Sequence, residues 1–165
     1  MIKFDNEQLE KYLLFKLDKQ EKSFSKEELA GIEELVLDPV NLNGEYNEID
    51  LDIIKYFTHL KRVLFKNLKI PDKSIEKLFA ISSLESIYFE RCNFENISLL
   101  TKSNIKEIEF INCALADYSF LYNMNELKSL SVVNGVVSIT GINKLKKLQY
   151  LQLSYSTILD IEDIE

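Results

Sequence analysis

The sequence predicts an α/β solenoid, a coil of similar turns that lays one parallel sheet along its concave side. Three observations carry this reading. A phrase of fixed spacing (apolar, two variable residues, apolar, variable, apolar) occurs six times: Ile32, Leu35, Leu37; Leu60, Val63, Phe65; Leu84, Ile87, Phe89; Ile105, Ile108, Phe110; Leu127, Leu130, Val132; and Leu148, Leu151, Leu153. The copies start 28, 24, 21, 22 and 21 residues apart, converging on the period of a leucine-rich repeat. Between copies, apolar residues return every third position, as in Leu51, Ile54, Phe57; Ile75, Leu78, Ile81; Leu115, Tyr118, Leu121, Met124; and Val136, Ile139, Ile142, Leu145. A step of three fits short 3₁₀ or helical turns on the convex side, each residue of the ladder pointing inward.

The elements follow in order. Leu9, Tyr12, Leu13 and Phe15 to Leu17 mark the apolar side of an amphipathic helix from about Asn6 to Lys19. Ser25, three residues before Glu28, has capping-box spacing and opens a second helical turn. A solenoid exposes its core at each end and needs a cover there, so residues 1–31 are read as an N-terminal helical cap and residues 32–165 as one continuous domain of about six repeats. The first two copies are lengthened around Asn43 to Asn47 and Pro71 to Ser74, and both insertions are expected to bulge as loops.

At the C-terminal end there is no matching cover. Beyond Leu153 only Ile158, Ile161 and Ile164 remain on an acidic tail, and the last strand, Tyr150 to Ser154, carries no charge. An edge strand is normally blunted by charge, proline or a covering element. Either Asp160, Glu162, Asp163 and Glu165 curl back to shield it, or another chain pairs with it by strand addition or in a symmetric dimer.

Composition narrows the function. With 46% apolar and 28% charged residues the chain is ordinary for a folded domain, and 27 acids against 20 bases give a formal charge of -7. That balance argues against nucleic acid, whose phosphates require clustered Lys and Arg, and toward another protein, a basic one, as partner. No stretch approaches the ~20 apolar residues of a membrane span. Residues Met1 to Glu7 show no basic segment leading into an apolar run, so the expectation is a cytoplasmic chain. Cys92 and Cys113 stand 21 residues apart at equivalent places in adjacent copies and are expected as reduced structural thiols. His59 is the sole histidine and reads as structural, while the four glycines form no phosphate-cradling loop. No metal, no cofactor and no catalytic residue is assigned, and the chain is read as non-enzymatic.

The variable positions of the six phrases face the concave surface as three columns. They are Glu34, Arg62, Ser86, Glu107, Ser129, Tyr150; Val36, Leu64, Tyr88, Glu109, Ser131, Gln152; and Asp38, Lys66, Glu90, Ile111, Val133, Ser154. The acids Glu90, Glu107 and Glu109 concentrate in the middle copies and offer a landing site for a partner's Lys or Arg. Tyr88, Ile111, Val133 and Tyr150 are expected to form one apolar surface, extended by Gln152 and by Tyr155 just past the last strand. These nine residues are the candidate partner-binding set.

The stretch from Val136 to Ile158, VVSITGINKLKKLQYLQLSYSTI, resembles the leucine-rich repeats of bacterial internalins, and the resemblance covers about residues 25 to 165. It implies a curved parallel sheet, short convex turns and a role in gripping another macromolecule. The sequence departs from the family at the turn site after each strand, where Val40, Leu68, Cys92, Cys113, Gly135 and Ser156 replace Asn; less uniform turns are expected. The reading is thus a protein-binding module on a concave sheet, of which an immunity protein that neutralises a basic toxin is a narrower form. The alternatives are a fragment of an internalin-like surface adhesin and an acid-base hydrolase using Glu107 and Glu109. The hydrolase needs a pocket around its carboxylates, which an open sheet is not expected to supply.

Overall fold

Alternation within each phrase puts its last two apolar residues on one face of a strand, and the structure makes a strand of every phrase. The computed structural model describes residues 1–4, 7–38, 47–48, 51–115, 118–138 and 140–160. The strands are β1 (Glu34–Leu37), β2 (Asn47–Glu48), β3 (Arg62–Lys66), β4 (Leu68–Ile70), β5 (Ser86–Glu90), β6 (Asn93–Phe94), β7 (Glu107–Ile111), β8 (Ser129–Val133), β9 (Val136–Val137), β10 (Tyr150–Ser154) and β11 (Thr157–Ile158). Six of them form one parallel sheet in the order β1-β3-β5-β7-β8-β10, and the rest form two short parallel sheets, β2-β4-β6 and β9-β11. The registers place Leu35, Val63, Ile87, Ile108, Leu130 and Leu151 in one row, and Leu37, Phe65, Phe89, Phe110, Val132 and Leu153 in the next. This is a leucine-rich repeat solenoid of six turns.

The row that begins at Leu37 is aromatic in its middle. Phe65, Phe89 and Phe110 stack with ring centroids 5.5 and 5.4 Å apart, and Phe94 meets Phe89 edge-on at 4.9 Å. Pairs of this kind add about 0.5–1.5 kcal/mol beyond the area they bury. On the convex side the step of three is realised by i to i−3 hydrogen bonds: Leu60 N–H donates to Phe57, Leu84 to Ile81, Leu127 to Met124 and Leu148 to Leu145. The returns are 3₁₀ turns at Leu51–Tyr56, Ile97–Lys102, Ser119–Asn123 and Ile142–Lys144, and a true helix, numbered α3 below, at Asp72–Leu78.

Two helices cover the first repeat. Helix α1 (Glu7–Lys16) buries Leu9 and Leu13, and α2 (Lys26–Ala30) buries Leu29. The capping box forms in full, with Glu28 N–H donating to Ser25 Oγ at 3.1 Å and Ser25 N–H to Glu28 Oε2 at 2.7 Å. Helix α1 ends earlier than its sequence pattern because the chain turns at Asp18, whose φ is 49°. Phe15, expected on the buried side, is 86% exposed.

Two other expectations are corrected, and a third is not tested. Pro71 to Ser74 does not bulge; Pro71 supplies the extended N-cap of α3 (Asp72–Leu78) and Ser74 is buried within it. Val136 is 45% exposed and Val137 takes the inward place, because alternation along β9 allows only one of the two to point in. The first insertion, Asn43 to Asn47, lies outside the described residues except for Asn47, which pairs with Leu68.

The exit turns are uniform, contrary to the expectation from the missing Asn. Each strand of the six-stranded sheet from β3 onward is left through a residue of positive φ: Asn67 (54°), Arg91 (49°), Asn112 (53°), Asn134 (64°) and Tyr155 (53°). The first four donate their backbone N–H to the last strand carbonyl of the following repeat, at 2.8 to 3.0 Å. One residue later, Cys92 Sγ donates to Phe65 O at 3.3 Å, Cys113 Sγ to Phe89 O at 3.5 Å and Ser156 Oγ to Val132 O at 3.1 Å, three equivalent carbonyls. Both thiols are free. Burial pushes Cys92 up to about 12 and Cys113 up to about 11, so both stay protonated donors. Gly135 has no side chain for this task because Tyr118 fills the space; a Cβ there would lie 2.7 Å from Val132 Cγ1 and 3.0 Å from the Tyr118 hydroxyl.

Candidate functional site

Register fixes what each concave side chain meets. Across the sheet, Ser86 stands beside Glu107, Tyr88 beside Glu109, Glu90 beside Ile111, Glu109 beside Ser131, and Ile111 beside Val133. Neighbouring strands are ~4.8 Å apart, so such side chains touch.

The charges at the N-terminal end are matched in pairs. Glu34 lies 3.7 Å from Arg62 and 3.9 Å from Lys16, and Glu90 is held by Lys66 at 2.8 Å and by Arg91 at 3.0 Å. The two carboxylates of β7 differ. Glu107 Oε2 accepts from Ser86 Oγ at 2.9 Å and from the Tyr88 hydroxyl at 3.1 Å, and Glu109 Oε1 accepts from Ser131 Oγ at 2.8 Å. Among the described residues no Lys or Arg pairs with either, and Glu107 Oε1 and Glu109 Oε2 accept no hydrogen bond. Hydroxyls therefore orient these carboxylates without cancelling their charge, which leaves the middle of the concavity negative.

Tyr88 serves the same arrangement. Burial pushes its phenol above the ordinary value, opposed by the Arg62 charge and aided by the bond to Glu107, so it stays a donor at neutral pH. The Arg62 guanidinium lies over its ring, 5.6 Å from the centroid. Ser86 and Ser131, placed among the solvent-facing variable positions, are 5% and 6% exposed, since each is covered by the side chain it donates to.

The apolar surface expected from Tyr88, Ile111, Val133 and Tyr150 is not continuous. Ile111 and Val133 are in register and half-buried, but Tyr88 and Tyr150 lie in different rows three strands apart, about 14 Å of sheet. Tyr150 is half-exposed and donates its hydroxyl to the Gln152 carboxamide, which donates in turn to Ser154 Oγ at 2.9 Å. Tyr155 is 90% exposed.

The sheet does carry a hollow beside Glu107. It measures about 570 Å³ and is walled by the cap residues Lys16, Leu17 and Gly31 together with Glu34, Arg62 and Ser86. Sequence columns show only its repeat side, because Lys16, Leu17 and Gly31 close it from outside the repeats. Glu109 is not part of the lining, so the two carboxylates of the hydrolase alternative do not share the hollow. His59, on the convex edge, donates from Nδ1 to the Ala30 carbonyl at 2.8 Å, tying the second repeat to the cap.

With this geometry in place, solved structures provide the comparison. The fold matches internalin C2 of Listeria monocytogenes with a TM-score of 0.66 at 19% identity, over 96% of this chain and 78% of that one. It matches internalin F of the same organism with a TM-score of 0.57 at 20% identity, over 96% of this chain and 58% of that one. No protein-family model and no curated protein matches the sequence. The likeness is one of fold: an internalin-like leucine-rich repeat solenoid.

Proposed function

We propose that the protein is a binding module whose concave sheet grips a basic protein partner, with Glu107 and Glu109 as the charged centre of the footprint. The observation that carries this is the pair of carboxylates oriented by Ser86, Tyr88 and Ser131 yet paired with no cation among the described residues. A partner's Lys or Arg placed there gains a charge-assisted bond to an acceptor already held in position. Glu90, Ile111, Val133, Tyr150, Gln152 and Tyr155 complete the contact surface around that centre. In its narrower form the partner is a basic toxin that this chain neutralises as an immunity protein, a reading supported by the net charge of -7. The internalin-like fold favours a second reading, a segment of a longer surface adhesin; a leader or wall anchor encoded in the same gene would support it.

The test is capture of partners from a lysate of the source organism with the wild-type chain and with a Tyr88→Ala, Glu109→Lys double variant. The wild type is expected to retain a basic protein that the variant loses. Equal recovery of the same partner by both removes the proposed footprint.

A further inference from the structure

The hollow between the cap and the sheet keeps one charge that the chain itself does not answer. Four carboxylates and three cations line it. Three of the carboxylates have cationic neighbours: Glu33 has Lys61 at 2.8 Å, Glu85 has Lys106, and Glu34 has Arg62 at 3.7 Å and Lys16 at 3.9 Å. Glu107 is the fourth, and among the described residues no Lys or Arg pairs with it. Its Oε2 is fixed by Ser86 and Tyr88, while Oε1 accepts no hydrogen bond there. The hollow is therefore a recess with a surplus negative charge at one oriented oxygen.

The rest of the lining limits what can enter. Leu17, half-buried against the core, and Ile32, 3% exposed, give the recess an apolar side. Its volume of about 570 Å³ lies within the range of sites that hold organic groups, roughly 300–1,000 Å³. A fitting group has an aliphatic stem and one positive head. Of the two side chains of that kind, arginine suits the site better. Its guanidinium is more weakly hydrated than an ammonium, so it loses less on moving beside Leu17 and Ile32, and its planar fork aims donors at a carboxylate held in place. Because Glu107 also stands at the centre of the concave footprint, a chain lying on the sheet brings such a side chain to the recess.

We infer that the hollow takes a single arginine side chain of the partner, with its stem along Leu17 and its guanidinium on Glu107 Oε1. The inference rests on the concave-face reading and names the group that the partner inserts. The probe is N-acetyl-arginine amide, added to the full chain and followed through the backbone amide shifts of Leu17, Gly31, Ser86 and Glu107. It is expected to shift them saturably, with a Kd in about the millimolar range. Glu107→Gln keeps the shape and removes the charge, and should weaken binding by about tenfold or more; Glu126→Gln, outside the lining, should leave it unchanged. N-acetyl-citrulline amide, neutral and of like shape, should not bind, and N-acetyl-lysine amide should bind several-fold more weakly. Free L-arginine, whose added carboxylate meets a lining of net negative charge, should also bind more weakly. Circular dichroism that matches the wild type in both variants keeps a folding defect from imitating the result. The absence of saturable shifts to about ten millimolar overturns the inference, as does a response unchanged in Glu107→Gln or equal binding of the citrulline or lysine amide. Tighter binding of free L-arginine assigns the hollow to a small molecule and overturns it too. The concave-face reading fails separately, by equal recovery of the partner with the Tyr88→Ala, Glu109→Lys variant, since Glu109 is not in the lining.

Discussion

At the residue scale, the repeat is closed by one backbone conformation. Left-handed φ costs an ordinary residue about 1–2 kcal/mol and an Asn much less. Three of the five exit positions are Asn; Arg91 and Tyr155 carry the strain instead. Tyr155→Asn is therefore expected to stabilise the chain by about 1 kcal/mol, read as a higher urea midpoint with unchanged slope. An unchanged or lower midpoint contradicts the strain at Tyr155. The cysteines next to these turns make a second case. With Cys92 pushed up to about 12 and Cys113 up to about 11 by burial, alkylation by iodoacetamide at pH 8 should proceed only as fast as the chain unfolds. Rapid labelling of the native protein contradicts the bonded, desolvated thiols.

At the scale of the element, neighbouring turns are tied by ion pairs that repeat with the array. Lys61 pairs with Glu33, Lys106 with Glu85 and Lys147 with Glu126, each bridging one repeat to the next. In all three the lysine's hydrogen bond, then its charge, holds the carboxyl below its ordinary 4.5. A carboxyl lowered on folding contributes stability above its unfolded value, and that contribution is lost as pH falls through the folded value. The urea midpoint should thus drop between pH 6 and about pH 3, and added salt should shrink the difference by screening these exposed pairs. A midpoint that rises on acidification contradicts the assignment. Elements of this kind were legible in the sequence wherever one repeat determines its own residues. The phrases gave the strands, the step of three gave the convex turns, and Ser25 with Glu28 gave the capping box. Pro71 was misread because a proline before Asp72 suits either a loop or an N-cap, and only packing of Ile75 and Leu78 decides between them. Val136 was misread because a period of three and a period of two meet at β9.

At the scale of the whole molecule, curvature and capping create what no repeat contains. The columns were readable from spacing alone, and with them the neighbours Ser86 and Glu107, and Ser131 and Glu109. The hollow beside Glu107 was not, since Lys16, Leu17 and Gly31 reach it from the cap, nor was the separation of Tyr88 from Tyr150, which depends on counting strands rather than residues. Among the described residues no helix is long and apolar enough to cross a membrane. What the assembled surface presents is a broad sheet with matched charge at its N-terminal end and uncancelled negative charge in the middle.

The most direct test of that surface is the affinity of the captured partner for the wild type, for Glu107→Gln with Glu109→Gln, and for Glu126→Gln, whose carboxylate is paired with Lys147, measured at low and at raised ionic strength. Binding by the wild type should weaken as salt rises. The double substitution should cost about 2–4 kcal/mol and flatten that dependence, with Glu126→Gln neutral. Affinity equal in all three proteins, or indifferent to salt in the wild type, would contradict a concave face that holds its partner through Glu107 and Glu109.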